Sequence, residues 1–364
     1  AKAMICEECG QTARASTLRC GRCKTAYYCS REHQAAHWRR RHKLDCAIEA
    51  AVGRALLESS RDKEALLSAA QKQPPSDAHC CICLEAADAS TEENPFLHVG
   101  CACRGSAGWM HVDCLFEILK DSPEIRCGTC KNTLTGEMSL RIAVKYWRRH
   151  RVKAEADPMR LEAELILGTM MRRNLWTAEK ALVMKLLRRN VDVTTKVFGP
   201  DGDGTRKAVN VLANALWCQG QLADAEALMR PYVEKMFLFE GDELLRRCDT
   251  LAYYADALVA LGRTTEAEAL LRRGIDMASA GFKSDSRARP RAVDIVLTSL
   301  LWCLTNALRQ QGKLRESHEH LTTLCRLTRR HYGSDHPQTR RFEVARSDVA
   351  ASLAQEPRGQ ADAC

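Results

Sequence analysis

Cysteine spacing constrains this chain more than any other feature. Of 19 cysteines in 364 residues, fourteen lie before residue 131, mostly as closely spaced pairs interspersed with histidine. Disulfide frameworks belong to small secreted domains, whereas cysteine knuckles mixed with His in an intracellular chain mark zinc sites. The pattern predicts metal in place of disulfides. The other five, Cys218, Cys248, Cys303, Cys325 and Cys364, follow no spacing and read as ordinary buried thiols.

The first cluster reads Cys6-x2-Cys9, Cys20-x2-Cys23, Cys29-x3-His33 and His42-x3-Cys46. Eight ligands are enough for two tetrahedral zinc sites. Positions four apart share a helix face, so each late pair can grip one ion. Ser30 is a candidate N-cap for the helix carrying His33 and Trp38. His37 competes with His33, but it lies eight residues beyond Cys29, roughly 12 Å along a helix and too far to share an ion. With Tyr28-Cys29-Ser30, Gln34, Trp38 and His42-Lys43-x2-Cys46 in place, residues 6–46 resemble the MYND zinc finger. His33 stands where that family usually has Cys, and the interval from Trp38 to His42 reads one residue long. The resemblance implies interleaved zinc sites and binding of short proline-containing peptides over a surface including Gln34 and Trp38. A purely packing role for Trp38 is the other reading.

Two short amphipathic helical stretches, roughly 47 to 72, lead to Pro74-Pro75, a boundary signal. Beyond it stand Cys80-x2-Cys83, Cys101-x-Cys103, His111-x2-Cys114 and Cys127-x2-Cys130, with Cys81 as the spare. The order of four Cys, one His and three Cys, with a single residue inside the second knuckle, resembles the RING-CH (RING-variant) finger. A plant-homeodomain finger shares the ligand order but usually has longer first spacings. The RING-CH resemblance implies a ubiquitin ligase that holds a ubiquitin-conjugating enzyme and contributes no nucleophile. Ile82 matches the family's apolar contact, or else packs between ligands. Lys131 could supply the basic residue that steadies the charged conjugate. Ile118 stands where the family often has Trp, and Gly128-Thr129 replace the proline often found in the last knuckle.

Residues 141–153 carry Arg141, Lys145, Arg148, Arg149, Arg151 and Lys153 and no acid. Such a run is more often a solvated helix face than a nucleic-acid patch. Farther on, Gly220, Gly262 and Gly312 are each preceded at one offset by Ala215-Leu216, Ala257-Leu258 and Ala307-Leu308. Each is followed five residues later by Ala225, Ala267 or Ser317. Glycines that end one helix and small residues that admit its partner indicate repeated helix pairs. A fainter unit surrounds Leu175 and Ala178. The spacing, with Phe198-Gly199-Pro200-Asp201 and Thr205, and Tyr332-Gly333-Ser334-Asp335 and Thr339, resembles the long tetratricopeptide repeats of the kinesin light chain type. Such stacks make a curved surface that typically holds peptides or a helix, or serve as a bare scaffold.

The expected fold class is multidomain and mainly α: two small zinc-stabilised finger modules followed by an α-solenoid of tetratricopeptide-like helix pairs. The expected order is a MYND-type finger (1–48), a helical linker (49–75), a RING-CH-type finger (76–135), a basic connecting helix (136–159), repeats (160–355) and a disordered tail (356–364). The formal charge of +9 would fall to +4 with thirteen bound thiolates and four dications. Residues 1–48 hold ten Lys/Arg against four Asp/Glu, and residues 76–135 hold four against nine. That reversal disfavours the continuous basic stripe nucleic acid needs. No apolar run reaches the ~20 residues of a membrane span, and no signal peptide opens the chain, although it begins at Ala1 without Met. No segment is patterned to hold a SET catalytic domain. The function expected is a zinc-binding protein-interaction adaptor, cytoplasmic or nuclear, carrying four Zn2+. Ligase activity and a non-enzymatic scaffold stand as alternatives, with nucleic-acid association a minor third.

Overall fold

The computed structural model describes the chain apart from residues 1–4, 13–17, 67–73, 75–77, 87–89, 92–93, 102, 104–107, 122–124, 130–133, 240, 281–290, 335 and 356–364. Side chains at 57–66, 241–243, 245–246, 291–292 and 337 are likewise outside the description. Cys130, Lys131, Cys364 and the expected disordered tail therefore lie outside the described residues. The chain forms two compact units, Ala1–Val197 and Phe198–Cys364.

The first unit opens with a two-stranded antiparallel ribbon, β1 (Leu18–Arg19) and β2 (Tyr27–Tyr28). Helix α1 (Arg31–His37) follows, capped by Ser30, whose hydroxyl accepts from the His33 N–H at 3.2 Å. The chain then makes a wide π-helical turn, Trp38–His42, before α2 (Lys43–Leu66). The π turn accounts for the extra residue between Trp38 and His42: an inserted residue is absorbed as a local widening of the helix. The linker is thus part of one continuous helix to Leu66 and not two short stretches beginning near 47. A second ribbon, β3 (Phe96–His98) with β4 (Trp109–His111), pairs Phe96 with His111 and runs into α3 (Val112–Leu119).

Helix α4 (Gly136–His150) carries most of the basic run. The solvated-face reading needs correction at Arg141 and Arg151, which are covered, while Arg148 and Arg149 keep nearly half of their side-chain surface in water. Arg141 pairs with Glu137, Lys145 with Asp113, and Arg149 with Asp121 at 3.7 Å. Arg148 and Arg151 both reach Glu49, at 2.5 and 2.8 Å; Arg151 also meets Glu7 at 3.2 Å, and Lys153 meets Asp157. The Glu49 side chain is 1% exposed and that of Arg151 7%. These carboxylates come from both finger segments, so α4 ties the two together. Helix α5 (Pro158–Phe198) is two helices joined at a kink, Glu179, with φ −125° and ψ 25°. Asp157 caps it by accepting from the N–H groups of Met159 and Arg160.

The second unit is a stack of helix pairs: α6 (Asp203–Cys218) with α7 (Leu222–Met236), α8 (Gly241–Ala260) with α9 (Thr264–Ala280), and α10 (Arg291–Gln310) with α11 (Leu314–Tyr332). Helix α12 (Pro337–Gln355) closes it. Gly220, Gly262 and Gly312 have φ of 76°, 79° and 75°, the left-handed region where a side chain is costly. At each, the following residue donates back to the leucine of the Ala-Leu pair: Gln221 to Leu216, Arg263 to Leu258, Lys313 to Leu308, at 2.9–3.0 Å. That is the Schellman stop. Ala225, Ala267 and Ser317 are fully buried, as the close approach of paired helices demands. Thr205 and Thr339, also fully buried, donate to the carbonyls of Gly199 and Gly333 at 2.7 and 2.9 Å, which explains the repeated Gly…Thr phrase. Of the scattered thiols, Cys248, Cys303 and Cys325 are buried; Cys218 is exposed, contrary to expectation.

Candidate metal centres

The knuckles share one local construction. Gly10, Lys24 and Leu84, each just after a Cys-x2-Cys pair, have φ of 72°, 54° and 63°. Each donates its N–H to the carbonyl of the first cysteine, Cys6, Cys20 or Cys80, at 2.9 Å. The tight turn points both thiols to one side. It also turns N–H groups toward the first sulfur. Burial opposes ionisation of Cys6, but backbone donors at Cys9, Cys29 and Glu8 bring its thiol down to about 6. Cys80 falls to about 6 in the same way, with burial outweighed by donors at Cys83, His111 and Ile82.

The tertiary fold then gathers the pairs. Cys6, Cys9, Cys29 and His33 form one group, and Cys20, Cys23, His42 and Cys46 a second, so knuckles and helical pairs interleave. Cys80, Cys83, His111 and Cys114 form a third; Cys101, Cys103 and Cys127 form a fourth, whose expected partner Cys130 is outside the described residues. Donor atoms within each group lie within 4.8 Å of one another. Sulfur–sulfur separations of 3.8 Å for Cys9–Cys29, 3.9 Å for Cys20–Cys46 and 3.6 Å for Cys103–Cys127 match the edge of about 3.8 Å in a tetrahedron of ~2.3 Å zinc–sulfur bonds. Imidazole nitrogens complete the first three sets: His33 Nδ1 is 3.7 Å from Cys6, His42 Nε2 3.6 Å from Cys23, and His111 Nδ1 3.3 Å from Cys83. These spacings are too long for disulfides, and every described cysteine is free.

Electrostatics make the same demand. Burial first, then the neighbouring thiolates of Cys23 and Cys20, push Cys46 up to about 12; burial with Cys83 and Cys80 does the same to Cys114. Four such donors carry full charge together only around a cation, so the donor sets fit a dication that prefers thiolate and imidazole. His37 stays outside this chemistry. Its Nε2 accepts from Arg41 Nε at 2.9 Å and its Nδ1 lies 2.9 Å from the Tyr28 hydroxyl. Burial, then Arg41, hold it neutral, with its pKa lowered to about 3.

Of the expected contact residues, Gln34 is partly buried, and Trp38 packs beside the Cys6, Cys20, Tyr28 and Cys46 cluster. Its ring meets His42 edge-on at 5.8 Å. Ile82 is 43% exposed and Ile118 54%, while Val112, Leu115 and Leu119 of the same helix are buried. Leu84, 74% exposed, is a third apolar side chain at this finger that sequence reasoning passed over; an apolar residue directly after a knuckle was the signal.

Comparison with known proteins agrees with this geometry. The MYND finger model matches residues 6–46, the RING-variant domain model residues 80–130, and tetratricopeptide repeat models residues 208–231, 250–273 and 303–338. Egl nine homolog 1 of Mus musculus is 49% identical over 41 residues, 11% of this chain and 10% of that protein. Programmed cell death protein 2 of Mus musculus is 48% identical over 44 residues, 12% of each. The chain thus spans about a tenth of the length of these curated relatives. Two crystal structures of a putative kinesin light chain with TPR-like repeats from Podosopora anserina are 17% identical, with TM-scores of 0.42 and 0.41, covering 60% of this chain and 95% of theirs. No helix among the described residues is long and apolar enough to cross a membrane. The chain carries a MYND finger, a RING-variant domain and tetratricopeptide repeats in that order and binds zinc through its fingers.

Proposed function

We propose that this chain is a protein-interaction adaptor that recruits a ubiquitin-conjugating enzyme through its second finger and a substrate through its first finger and repeats. Four zinc ions are held by Cys6, Cys9, Cys29 and His33; by Cys20, Cys23, His42 and Cys46; by Cys80, Cys83, His111 and Cys114; and by Cys101, Cys103, Cys127 and Cys130. The working modules of this reading are the fingers at 1–48 and 76–135 and the repeats at 160–355, and reduced thiols suit a cytoplasmic or nuclear address. Gln34 and Trp38 contribute to a peptide contact on the first finger.

The exposure of Ile82 carries the reading. An apolar side chain standing in water between two ligands is available to pack against a partner, and the family resemblance supplies the class of that partner. Lys131 would steady the charged conjugate. Such a ligase works by positioning: it holds the thioester where a lysine can attack and changes no bond of its own.

The test is ubiquitin transfer with a panel of conjugating enzymes. Ile82→Ala should reduce transfer at least about tenfold with zinc content unchanged, because truncating a buried apolar contact costs on the order of 2 kcal/mol. His111→Ala should abolish transfer and release zinc. Wild-type protein inactive with every enzyme would leave the non-enzymatic scaffold, which Ile118 and the Gly128-Thr129 replacement in the last knuckle favour.

A further inference from the structure

The stop glycines set a register along the second unit. Six residues before Gly220, Gly262 and Gly312 stand Asn214, Asp256 and Asn306, on the first helices of three successive pairs. At the middle rung a carboxyl group therefore replaces a carboxamide of nearly the same shape. Asn214 and Asp256 both line a cavity of about 70 Å³ shared with Trp217, Tyr253 and Met229. No lysine or arginine is among the described residues lining it. Trp217 and Tyr253 leave 45% and 42% of their surface in water, which is much for aromatic residues on packed helices.

A wider groove of about 660 Å³ continues from Trp217 and Asp256 to Trp302, Asn306, Arg309 and Arg341. The Arg341 guanidinium lies over the Trp302 ring, 4.6 Å from its centre. The groove thus carries both signs of charge. It offers a carboxyl group among aromatic side chains and two guanidinium groups. Burial raises the Asp256 carboxyl, opposed by a hydrogen bond from Cys303 and by the charge of Arg341; a cation in the cavity would compensate it. Aromatic faces attract cations through their quadrupole, and most strongly where water is scarce.

We propose that the groove takes an extended peptide whose basic side chain enters the cavity lined by Trp217, Tyr253 and Asp256, and whose acidic residue lies on Arg309 and Arg341. The inference rests on the reading of the repeats as the adaptor's partner-binding surface and gives that partner a charge order.

A phage-displayed random dodecapeptide library, sorted on the zinc-loaded full chain, tests it. Enriched peptides should carry Lys or Arg at a constant spacing from Asp or Glu. A fluorescein-labelled consensus peptide, followed by anisotropy, should lose about tenfold in affinity when its basic residue becomes norleucine, the size of one charge-assisted contact. Asp256→Asn, which installs the residue of the neighbouring rungs, should cause the same loss for the basic peptide and none for the norleucine peptide. Arg341→Gln should remove the acidic preference while the basic preference persists. If norleucine binds equally, or Asp256→Asn changes nothing, while Trp217→Ala still abolishes binding in a protein of unchanged melting temperature, the charge order is wrong and the groove reading stands. If no peptide is enriched, or binding survives Trp217→Ala, both are overturned.

Discussion

The finger segments and the repeats offset the entropy of folding in different ways. The strands of the fingers are two or three residues long, and the buried cluster of the first finger consists largely of its own ligands, Cys6, Cys20 and Cys46, with Ala26 and Tyr28. Modules of this size bury too little apolar surface to be stable alone. The repeats instead bury Ala and Leu on successive helices, among them Ala215, Leu258 and Leu308, and each pair buttresses the next. One kind of module is held by coordination, the other by packing, and they should respond differently to the same insult. Chelation is the strongest such insult, since structural zinc contributes on the order of 10 kcal/mol in finger peptides. Amide exchange by mass spectrometry should show residues 5–121 losing protection on chelation while α6 to α12 keep theirs. Loss of protection in both regions at one chelator concentration would erase the distinction.

A smaller effect sharpens the comparison by separating coordination from the charged contacts that tie the fingers to their helical neighbours. Glu49, 1% exposed, receives Arg148 and Arg151, and Arg151 also holds Glu7 beside the first knuckle. Nearby, Arg160 pairs with Glu164, both essentially buried, and its guanidinium donates to the carbonyls of Arg151 and Lys153. Removing one partner of a buried pair costs about 3–5 kcal/mol, because the other charge is left without compensation. Glu49→Gln should destabilise the first unit by roughly 3 kcal/mol, lowering exchange protection in 136–153, with zinc content retained. Unchanged protection there would mean α4 is held by its apolar face alone.

What was legible in the sequence follows the same division. Knuckles were legible because ligand spacing is local: a turn such as Cys80–Leu84 has one workable geometry, and Cys29 with His33 needs only one helical turn. The stop glycines were legible for the same reason. The role of Arg148 and Arg151 was not, since their partners Glu49 and Glu7 stand about a hundred residues or more upstream, and no periodicity within 141–153 announces them. His37 could be excluded as a ligand by distance, but its place between Tyr28 and Arg41 required the fold. The long interval from Trp38 to His42 showed as an anomaly; that it becomes a π turn returning His42 to Cys23 depends on the tertiary position of both ligands.

The smallest effect lies within the packed half, where charge adds to packing instead of replacing it. Glu226 and Glu268 sit six residues after successive stop glycines. Each reaches the residue just after the next stop glycine, Arg263 at 3.3 Å and Lys313 at 2.7 Å. Burial opposes ionisation of Glu268, but hydrogen bonds from Lys313 and Arg272 outweigh it and bring its carboxyl down to about 2. A carboxyl held below its unfolded value stabilises the fold above that value, near 4.3, and loses the contribution as pH falls toward the folded value. Lys313 and Arg272 are 45% and 40% exposed, so water screens the pairs and the gain is about 0.5–1 kcal/mol. Glu268→Gln should therefore lower the urea midpoint of the second unit slightly at pH 7, and the gap to wild type should narrow from pH 5 to pH 3. A gap constant across that range would assign the cost of the substitution to packing and not to charge, leaving the repeats held by packing alone.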